Sequence, residues 1–115
     1  MVKLSGIFSR LSSVRVAVIG DYMFDTYTTG KVRRISPEAP VSVLHVLNEE
    51  SRPGGAGNVV LNLISFGASV VAIGRVGHDN AGKSIISALA DEGVNTDGII
   101  YQKNFQTPVK NRLIA

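Results

Sequence analysis

Apolar and polar positions divide the chain into strand-like and helix-like segments that alternate. Residues 14–20, V-R-V-A-V-I-G, are β-branched and nearly continuous in apolar character, which predicts a central strand buried on both faces. Residues 69–74 predict a second buried strand, and the segment from Ala56 to Phe66 predicts a helix that is apolar nearly all round and ends at Gly67. Strand, helix and strand form a βαβ unit, so the two strands should be parallel.

An extended excursion separates the first strand from this helix. Residues 24–52 are rich in Thr, Tyr and Val and are interrupted by S-P-E-A-P at residues 36–40. Two prolines three positions apart exclude a regular helix there and favour strands on either side. We predict antiparallel strands over residues 26–32 and 41–48 that leave the main sheet. The second strand carries apolar residues on both faces, which predicts that one face meets another subunit.

The remaining elements follow the same reasoning. Residues 5–13 predict a short helix, and residues 81–92 predict an amphipathic helix that is capped by Asp79 or Asn80 and ends before Gly93. Residues 96–101 and 107–114 predict two further strands. Period-two alternation places Lys110 and Arg112 on one face of the last strand, either as a solvated basic edge or as a phosphate contact.

The run P-G-G-A-G-N at residues 53–58 is the strongest candidate for a binding site. Three glycines in four positions leave backbone amides accessible, and the helix that follows directs its positive end at the same place. Asn58 is expected to be buried in the first helical turn, where its amide needs a partner such as a ligand hydroxyl. The site would suit a hydroxyl-rich or anionic ligand; the alternative is a tight turn without a ligand.

Two carboxylates follow the first strand. Asp21 and Asp25 lie beyond its carboxyl end, where open α/β sheets collect ligands. Asp21 could equally be a turn residue that bonds its own backbone. His78 has no visible partner base, so we expect a solvated or capping side chain.

Composition excludes several classes of protein. The 115 residues are 44% hydrophobic and 18% charged, which is ordinary for a soluble globular protein. The chain lacks cysteine, and its two histidines are isolated, so no structural metal is expected. The net charge of +3 is dispersed apart from Lys31, Arg33 and Arg34, which suits a small phosphorylated ligand and not a nucleic acid. No apolar run approaches a membrane span, so we expect a cytoplasmic location.

These motifs carry a family resemblance. The run G-G-A-G-N at residues 54–58, followed by Gly67 and Gly77, resembles the N-terminal signature of the PfkB (ribokinase-like) carbohydrate kinases. Val60 departs from that signature, which prefers Ser, Thr or Ala. The segment G-D-Y-M-F-D at residues 20–25 is similar to the family's first sugar-contacting segment, and R-I-S-P-E-A-P-V at residues 34–41 resembles the D-glycero-β-D-manno-heptose 7-phosphate kinases of lipopolysaccharide biosynthesis.

The resemblance implies a fold, a reaction and a set of binding residues. The fold is α/β, a ribokinase-like parallel sheet flanked by helices, from which residues 24–52 protrude as an antiparallel β-lid that covers the sugar and forms a homodimer. The implied reaction is ATP-dependent phosphorylation of heptose 7-phosphate to heptose 1,7-bisphosphate, with Mg²⁺. The sugar-binding residues implied are Asp21, Asp25, Gly54, Gly55 and Asn58, and the candidates for the substrate phosphate are Lys31, Arg33, Arg34, Lys110 and Arg112.

One family motif is absent from these residues. The Gly-Ala-Gly-Asp segment that supplies the family's catalytic base and anion hole has no counterpart, since no Gly-x-Gly-Asp occurs. Residues 1–115 are therefore expected to be the N-terminal part of one kinase domain, without the nucleotide-binding part, and to be inactive alone. The alternatives are a ribokinase- or fructokinase-type enzyme and a non-catalytic sugar-binding module. A Rossmann dinucleotide domain would need its glycine fingerprint where Asp21 and Tyr22 stand.

Overall fold

The computed structural model describes residues 9–115, which build two three-stranded sheets and two helices after a short helical segment at residues 9–11. In chain order the elements are β1 (Arg15–Ile19), β2 (Tyr22–Ile35), β3 (Ser42–Gly55), α1 (Ala56–Ser65), β4 (Ser69–Gly77), α2 (Asn80–Asp91), β5 (Asn95–Gln102) and β6 (Val109–Ile114). One sheet has the order β1-β4-β5, and the other has the order β3-β2-β6. No helix in the described part of the chain is both long and apolar enough to cross a membrane.

The β1-β4-β5 sheet is parallel throughout. Arg15 pairs with Ser69 and Ile19 with Ile73, so the predicted βαβ unit is confirmed. The prediction that β1 is a central strand buried on both faces is wrong, because β4 is the middle strand and β1 lies at the edge of the described sheet. Burial in β1 alternates, and Ile19 is 75% exposed.

The hydrophobic core lies between this sheet and the two helices. Its fully buried side chains include Val60 of α1, Ala72 and Val76 of β4, and Ile85 and Leu89 of α2. These side chains lie on the apolar faces that helical and strand periodicity predict.

Tyr22 joins the mixed sheet to this core. It begins β2, yet only 1% of its surface is exposed, and its hydroxyl donates a hydrogen bond to the carbonyl of Val18 at 2.8 Å. Burial raises the pKa of Tyr22 above its ordinary value.

The mixed sheet is a long hairpin with a third strand added. β2 and β3 are antiparallel, each has 14 residues, and their pairing runs from Tyr22 with Gly55 to Ile35 with Ser42. The predicted antiparallel pair is confirmed, but both strands are longer than expected. β6 pairs with β2 in parallel, an arrangement that its sequence did not indicate.

The helices match their local signals. α1 and α2 lie within one residue of the predicted bounds, and Gly67 and Gly93 follow them at φ of 93° and 83°. Asp79 caps α2, where Asn80 was the alternative. Of the predicted N-terminal helix, residues 9–11 are helical, and residues 5–8 lie outside the described residues.

Candidate functional site

The glycine-rich run closes a strand instead of forming a free loop. Pro53, Gly54 and Gly55 are the last residues of β3, and Gly54 and Gly55 pair with Met23 and Tyr22. Gly55 alone in this run has a positive φ, at 57°, and it turns the chain directly into α1. The helix begins without a side-chain cap, and the amide of its first residue donates to the carbonyl of Asp21 at 2.8 Å.

Asp25 lies against the bare backbone of Gly54. The Asp25 side chain is half-buried, and a Cβ added to Gly54 would overlap its carboxylate. Gly57 is also required by packing, because a Cβ there would lie 2.7 Å from the Cβ of Pro53. Glycine at position 54 therefore leaves space for the Asp25 carboxylate, whereas glycine at position 57 allows α1 to pack closely against Pro53.

The register of the mixed sheet aligns a row of polar side chains on one face. Arg52 of β3 and Lys110 of β6 lie on either side of Asp25. Glu50 and Arg112 lie in the same way on either side of Tyr27. Directly paired residues share a face, and so do residues two apart on one strand. We call these six residues the lid face: Asp25, Tyr27, Glu50, Arg52, Lys110 and Arg112.

Tyr27 lies at the centre of the lid face and is contacted by two arginines. A terminal nitrogen of Arg52 donates to the Tyr27 hydroxyl at 3.4 Å, and the Arg52 Cζ lies 5.3 Å from the ring centroid. The Arg112 Cζ lies 5.6 Å from the same centroid. The hydrogen bond to Tyr27 raises the pKa of Arg52, and Asp25 and Glu50 add to the shift.

A cavity of about 340 Å³ opens over this face. It has room for a small polar ligand, at the lower end of ordinary ligand pockets. Its lining combines hydroxyls, a carboxylate, a guanidinium and an aromatic ring: Tyr27, Thr29, Glu50, Ser51, Arg52 and Ile114.

Sequence reasoning identified only part of the lid face. Asp25, Lys110 and Arg112 were candidates, and the structure brings them together. Tyr27, Glu50 and Arg52 were missed, although all three stand on period-two positions that can be counted from Asp25 and from Gly54. Counting alternate positions would have placed each residue on a face of its own strand. Only the pairing register shows that these faces of β2 and β3 lie on the same side of the sheet.

The remaining candidates lie elsewhere. Asn58 is exposed in the first turn of α1, so the expectation that its amide is buried is wrong; the open start of the helix leaves that turn in contact with solvent. Asp21 is also exposed, and its carbonyl binds the backbone.

The basic cluster of β2 is separated from Asp25. Lys31, Arg33 and Arg34 are exposed in the far half of the hairpin. Lys31 is six residues from Asp25 along β2, or about 20 Å at the rise of a strand. The structure therefore does not bring these three side chains to the lid face near Asp25.

A second polar cluster fixes the start of β6. Asp79 Oδ1 accepts from the Gly82 amide at 2.8 Å and from the Thr107 hydroxyl at 2.6 Å, while Oδ2 accepts from the Thr107 amide at 2.9 Å. The Thr107 oxygen also accepts from the Gly77 amide at 2.8 Å. The two hydrogen bonds from Thr107 lower the pKa of Asp79.

His78, in the same turn, is exposed and stacks on Tyr101 with 5.2 Å between the ring centroids, so it is not the cap of α2. No group of three or more His, Asp or Glu side chains within residues 9–115 could hold a metal ion.

The fold is similar to solved sugar kinases. A putative ribokinase from Agrobacterium tumefaciens superimposes with a TM-score of 0.70 over 87% of this chain and 32% of that chain, at 18% identity. An uncharacterized sugar kinase from Pyrococcus horikoshii, solved in complex with ATP, gives a TM-score of 0.60 over 81% of this chain and 28% of that chain, at 28% identity. The ribokinase-like fold expected from the sequence is thus confirmed.

Curated relatives are more similar in sequence. "Bifunctional protein HldE" of Pelobacter propionicus is 46% identical over 112 residues, which are 97% of this chain and 23% of that protein. The protein of the same name from Wolinella succinogenes is 47% identical over 106 residues, covering 90% of this chain and 22% of its own length. The chain therefore spans about a quarter of the length of these relatives. Since the model of the pfkB family carbohydrate kinases matches residues 14–114, nearly the whole sequence, the chain belongs to that family.

Proposed function

We propose that this chain is the sugar-binding and lid part of an ATP-dependent kinase that converts heptose 7-phosphate to heptose 1,7-bisphosphate, in the cytoplasmic synthesis of lipopolysaccharide core precursors. Membership of the pfkB family supports kinase activity on a carbohydrate. The run R-I-S-P-E-A-P-V at residues 34–41 and the similarity to the HldE proteins support the heptose assignment over a ribokinase- or fructokinase-type enzyme.

The observation that carries the proposal is the placement of Asp25. Its half-buried carboxylate lies over Gly54 and, by register, between Arg52 and Lys110, and Arg52 lines the cavity of about 340 Å³. A carboxylate can accept two sugar hydroxyls at once, and such charge-assisted bonds are shorter and stronger than neutral ones. In our proposal Asp25 holds the sugar, and the backbone of Gly54 and Gly55 lines its site. Asn58 approaches the sugar from the start of α1, and Asp21 approaches it from the turn between β1 and β2.

The lid would protect the reaction from water. Transfer of a γ-phosphoryl group depends on positioning and on exclusion of water, because water in the site would hydrolyse ATP. The β2–β3 hairpin carries four of the six residues of the lid face, and β6 carries the other two. Closure of this sheet over a sugar would position the substrate and exclude water. ATP is the phosphoryl donor that the family implies, and Mg²⁺ would be held by the phosphates together with residues beyond this segment. We place the catalytic base and the nucleotide pocket beyond it too.

The lid also offers a surface for a homodimer. Its apolar side chains Val32, Ile35, Val41, Val46 and Leu47 are each at least half exposed. Exposed apolar surface of this kind is characteristic of interaction sites. A second copy of the lid is the partner that we propose.

Substitution of Asp25 tests the proposed function in the longer protein that carries this chain. Asp25→Asn should keep the melting temperature but reduce kcat/KM for heptose 7-phosphate about 10- to 150-fold, because loss of a charge-assisted hydrogen bond costs about 1.5 to 3 kcal/mol. Asp21→Asn, at an exposed neighbouring carboxylate, should do less. Coupled ADP release measures both, and the 115-residue chain alone should release none above background. Unchanged kinetics in Asp25→Asn would remove this residue from the site.

A further inference from the structure

Two arginines converge on one aromatic ring of the lid face. The Cζ atoms of Arg52 and Arg112 lie 5.3 and 5.6 Å from the centroid of Tyr27, and both distances are within the range of cation–π attraction. The two arginines come from different strands, β3 and β6, on opposite sides of β2. Tyr27 is thus a shared platform that orients two guanidinium groups toward the same space.

The charge of the lid face is unbalanced. It contains three cations, Arg52, Lys110 and Arg112, against the two carboxylates of Asp25 and Glu50. The two carboxylates offset two of these cations, and the remaining positive charge favours binding of an anion at this face. Among the described residues, the Arg112 side chain contacts the Tyr27 ring and has no carboxylate or carbonyl acceptor, so its five N–H donors are available.

We propose that Arg52 and Arg112, positioned by Tyr27, bind the phosphate that the sugar substrate already carries, and that this pair makes the site selective for sugar phosphates. Planar guanidinium groups match phosphate oxygens with paired hydrogen bonds, which a lysine cannot reproduce. The inference rests on the proposed function and adds to it the residues that read the substrate's phosphate.

The spacing along β2 agrees with a sugar phosphate lying on the sheet. Tyr27 is two residues from Asp25 on the same face, or about 6 to 7 Å along the strand. A sugar ring whose hydroxyls contact Asp25 would direct an exocyclic phosphate toward Tyr27 and its two arginines. The Tyr27 and Arg52 side chains line the cavity that this phosphate would enter.

Arg75 also stacks on an aromatic ring, but its contacts lie entirely within the fold. Arg75 lies 4.2 Å from the ring centroid of Phe105, and it also donates to the side-chain oxygen of Gln102 at 3.0 Å. Its guanidinium therefore has both a ring and an acceptor inside the fold. Arg75 supplies a matched control, because its substitution removes the same kind of stacking away from the lid face.

The test compares two substrates in the longer protein: heptose 7-phosphate and the same heptose without its phosphate. Arg112→Gln and Arg52→Gln should each raise KM for the phosphorylated sugar about 10- to 100-fold. Both should change kcat/KM for the unphosphorylated sugar by no more than about twofold, a difference too small to indicate loss of a charged contact. Arg75→Gln should leave both substrates unchanged. Equal losses on both sugars would overturn the phosphate assignment.

Tyr27 needs its own readout, because it acts through the arginines. Tyr27→Leu should raise KM for heptose 7-phosphate with little change in kcat, and Tyr27→Phe should restore most of the affinity because it retains the ring. If Tyr27→Leu lowers kcat on both sugars equally, its role is structural and the positioning role is lost. Should a glutamine variant fail to fold, Arg112→Lys keeps the charge without the planar fork and should still raise KM for the phosphorylated sugar.

Failure of this inference can be separated from failure of the proposed function. A wild-type protein that phosphorylates the unphosphorylated heptose as efficiently as the phosphorylated one remains a sugar kinase but refutes the phosphate site. If the protein shows no kinase activity, calorimetric titration with heptose 7-phosphate still decides, since Arg112→Gln should weaken its binding at least tenfold. Equal binding by wild type and Arg112→Gln would overturn the inference.

Discussion

The two sheets of this molecule use similar apolar residues in opposite ways. In the β1-β4-β5 sheet, Val70, Ala72 and Val76 of the middle strand are at most 3% exposed beneath the two helices. In the mixed sheet every residue of β6 is exposed, and β3 is buried only at Pro53 and Gly54. The parallel sheet therefore derives its stability from apolar burial, whereas the mixed sheet is held mainly by its ladder of backbone hydrogen bonds and buries side chains chiefly in β2, at Tyr22, Thr26 and Thr28.

Two of the contacts that connect these regions lie at the same end of the mixed sheet, where the parallel strands β2 and β6 begin. Tyr22 is inserted into the core at the start of β2, and Thr107 binds Asp79 just before β6. The lid is thus fixed at its base and free along its length. That arrangement suits an element that must cover a ligand without contributing to the core.

The largest expected contrast is between two leucines. Leu89→Ala, at a fully buried site of α2, should lower the free energy of unfolding by about 2 to 5 kcal/mol through loss of contacts and creation of a cavity. Leu113→Ala, at a site of β6 that is 67% exposed, should lower it by about 0.5 kcal/mol or less. Urea titration of both variants measures the difference. Equal costs would indicate that another part of the protein covers Leu113.

A charged substitution on the lid should show which of its two faces forms the proposed dimer interface. Val43 and Val46 are three positions apart on β3 and lie on opposite faces, and Val46 is 50% exposed. If the lid pairs with a second copy, Asp at one of these positions should weaken the dimer about 100-fold or more, because an unpaired charge in an interface is costly. The other substitution should be tolerated. Sedimentation of both variants decides, and a dimer that is insensitive to both would place the contact elsewhere.

The smallest effect is expected at Asp79, and it should depend on pH. The pKa of Asp79 is depressed in the folded state, so its contribution to stability is present above the ordinary carboxyl pKa and is lost as the pH falls through the folded value. Asp79→Ala should cost about 0.5 to 2 kcal/mol at pH 7, as for a helix N-cap, and less in acid. Thermal melting between pH 7 and pH 3 follows this difference. Asp97→Asn, at an exposed carboxylate, provides the control, and a cost for Asp79→Ala that did not change with pH would contradict the role of the ionised form.

Local signals predicted the helices of this chain closely. The predicted bounds of α1 and α2 differ from the structure by one residue, and Gly67, Asp79 and Gly93 serve as the expected stop and cap residues. Periodicity, capping and left-handed glycines act within one or two turns of chain, so the sequence of each segment is sufficient. The family resemblance carried by residues 20–25 and 54–58 likewise depends on contiguous residues, and it is confirmed by the family match over residues 14–114.

Tertiary structure decided which strands are neighbours. The apolar run of β1 did not reveal that it lies at an edge of the described sheet, and β6 gave no sign that it pairs with β2. Asn58 was expected inside and is exposed. Alternation assigns a residue to a face of its own strand, but it does not specify the partner strand or the register, which depend on packing between distant segments. For that reason the sequence by itself determined the helices, the excursion and the candidate Asp25, whereas only the folded chain placed Arg52 and Arg112 on the ring of Tyr27.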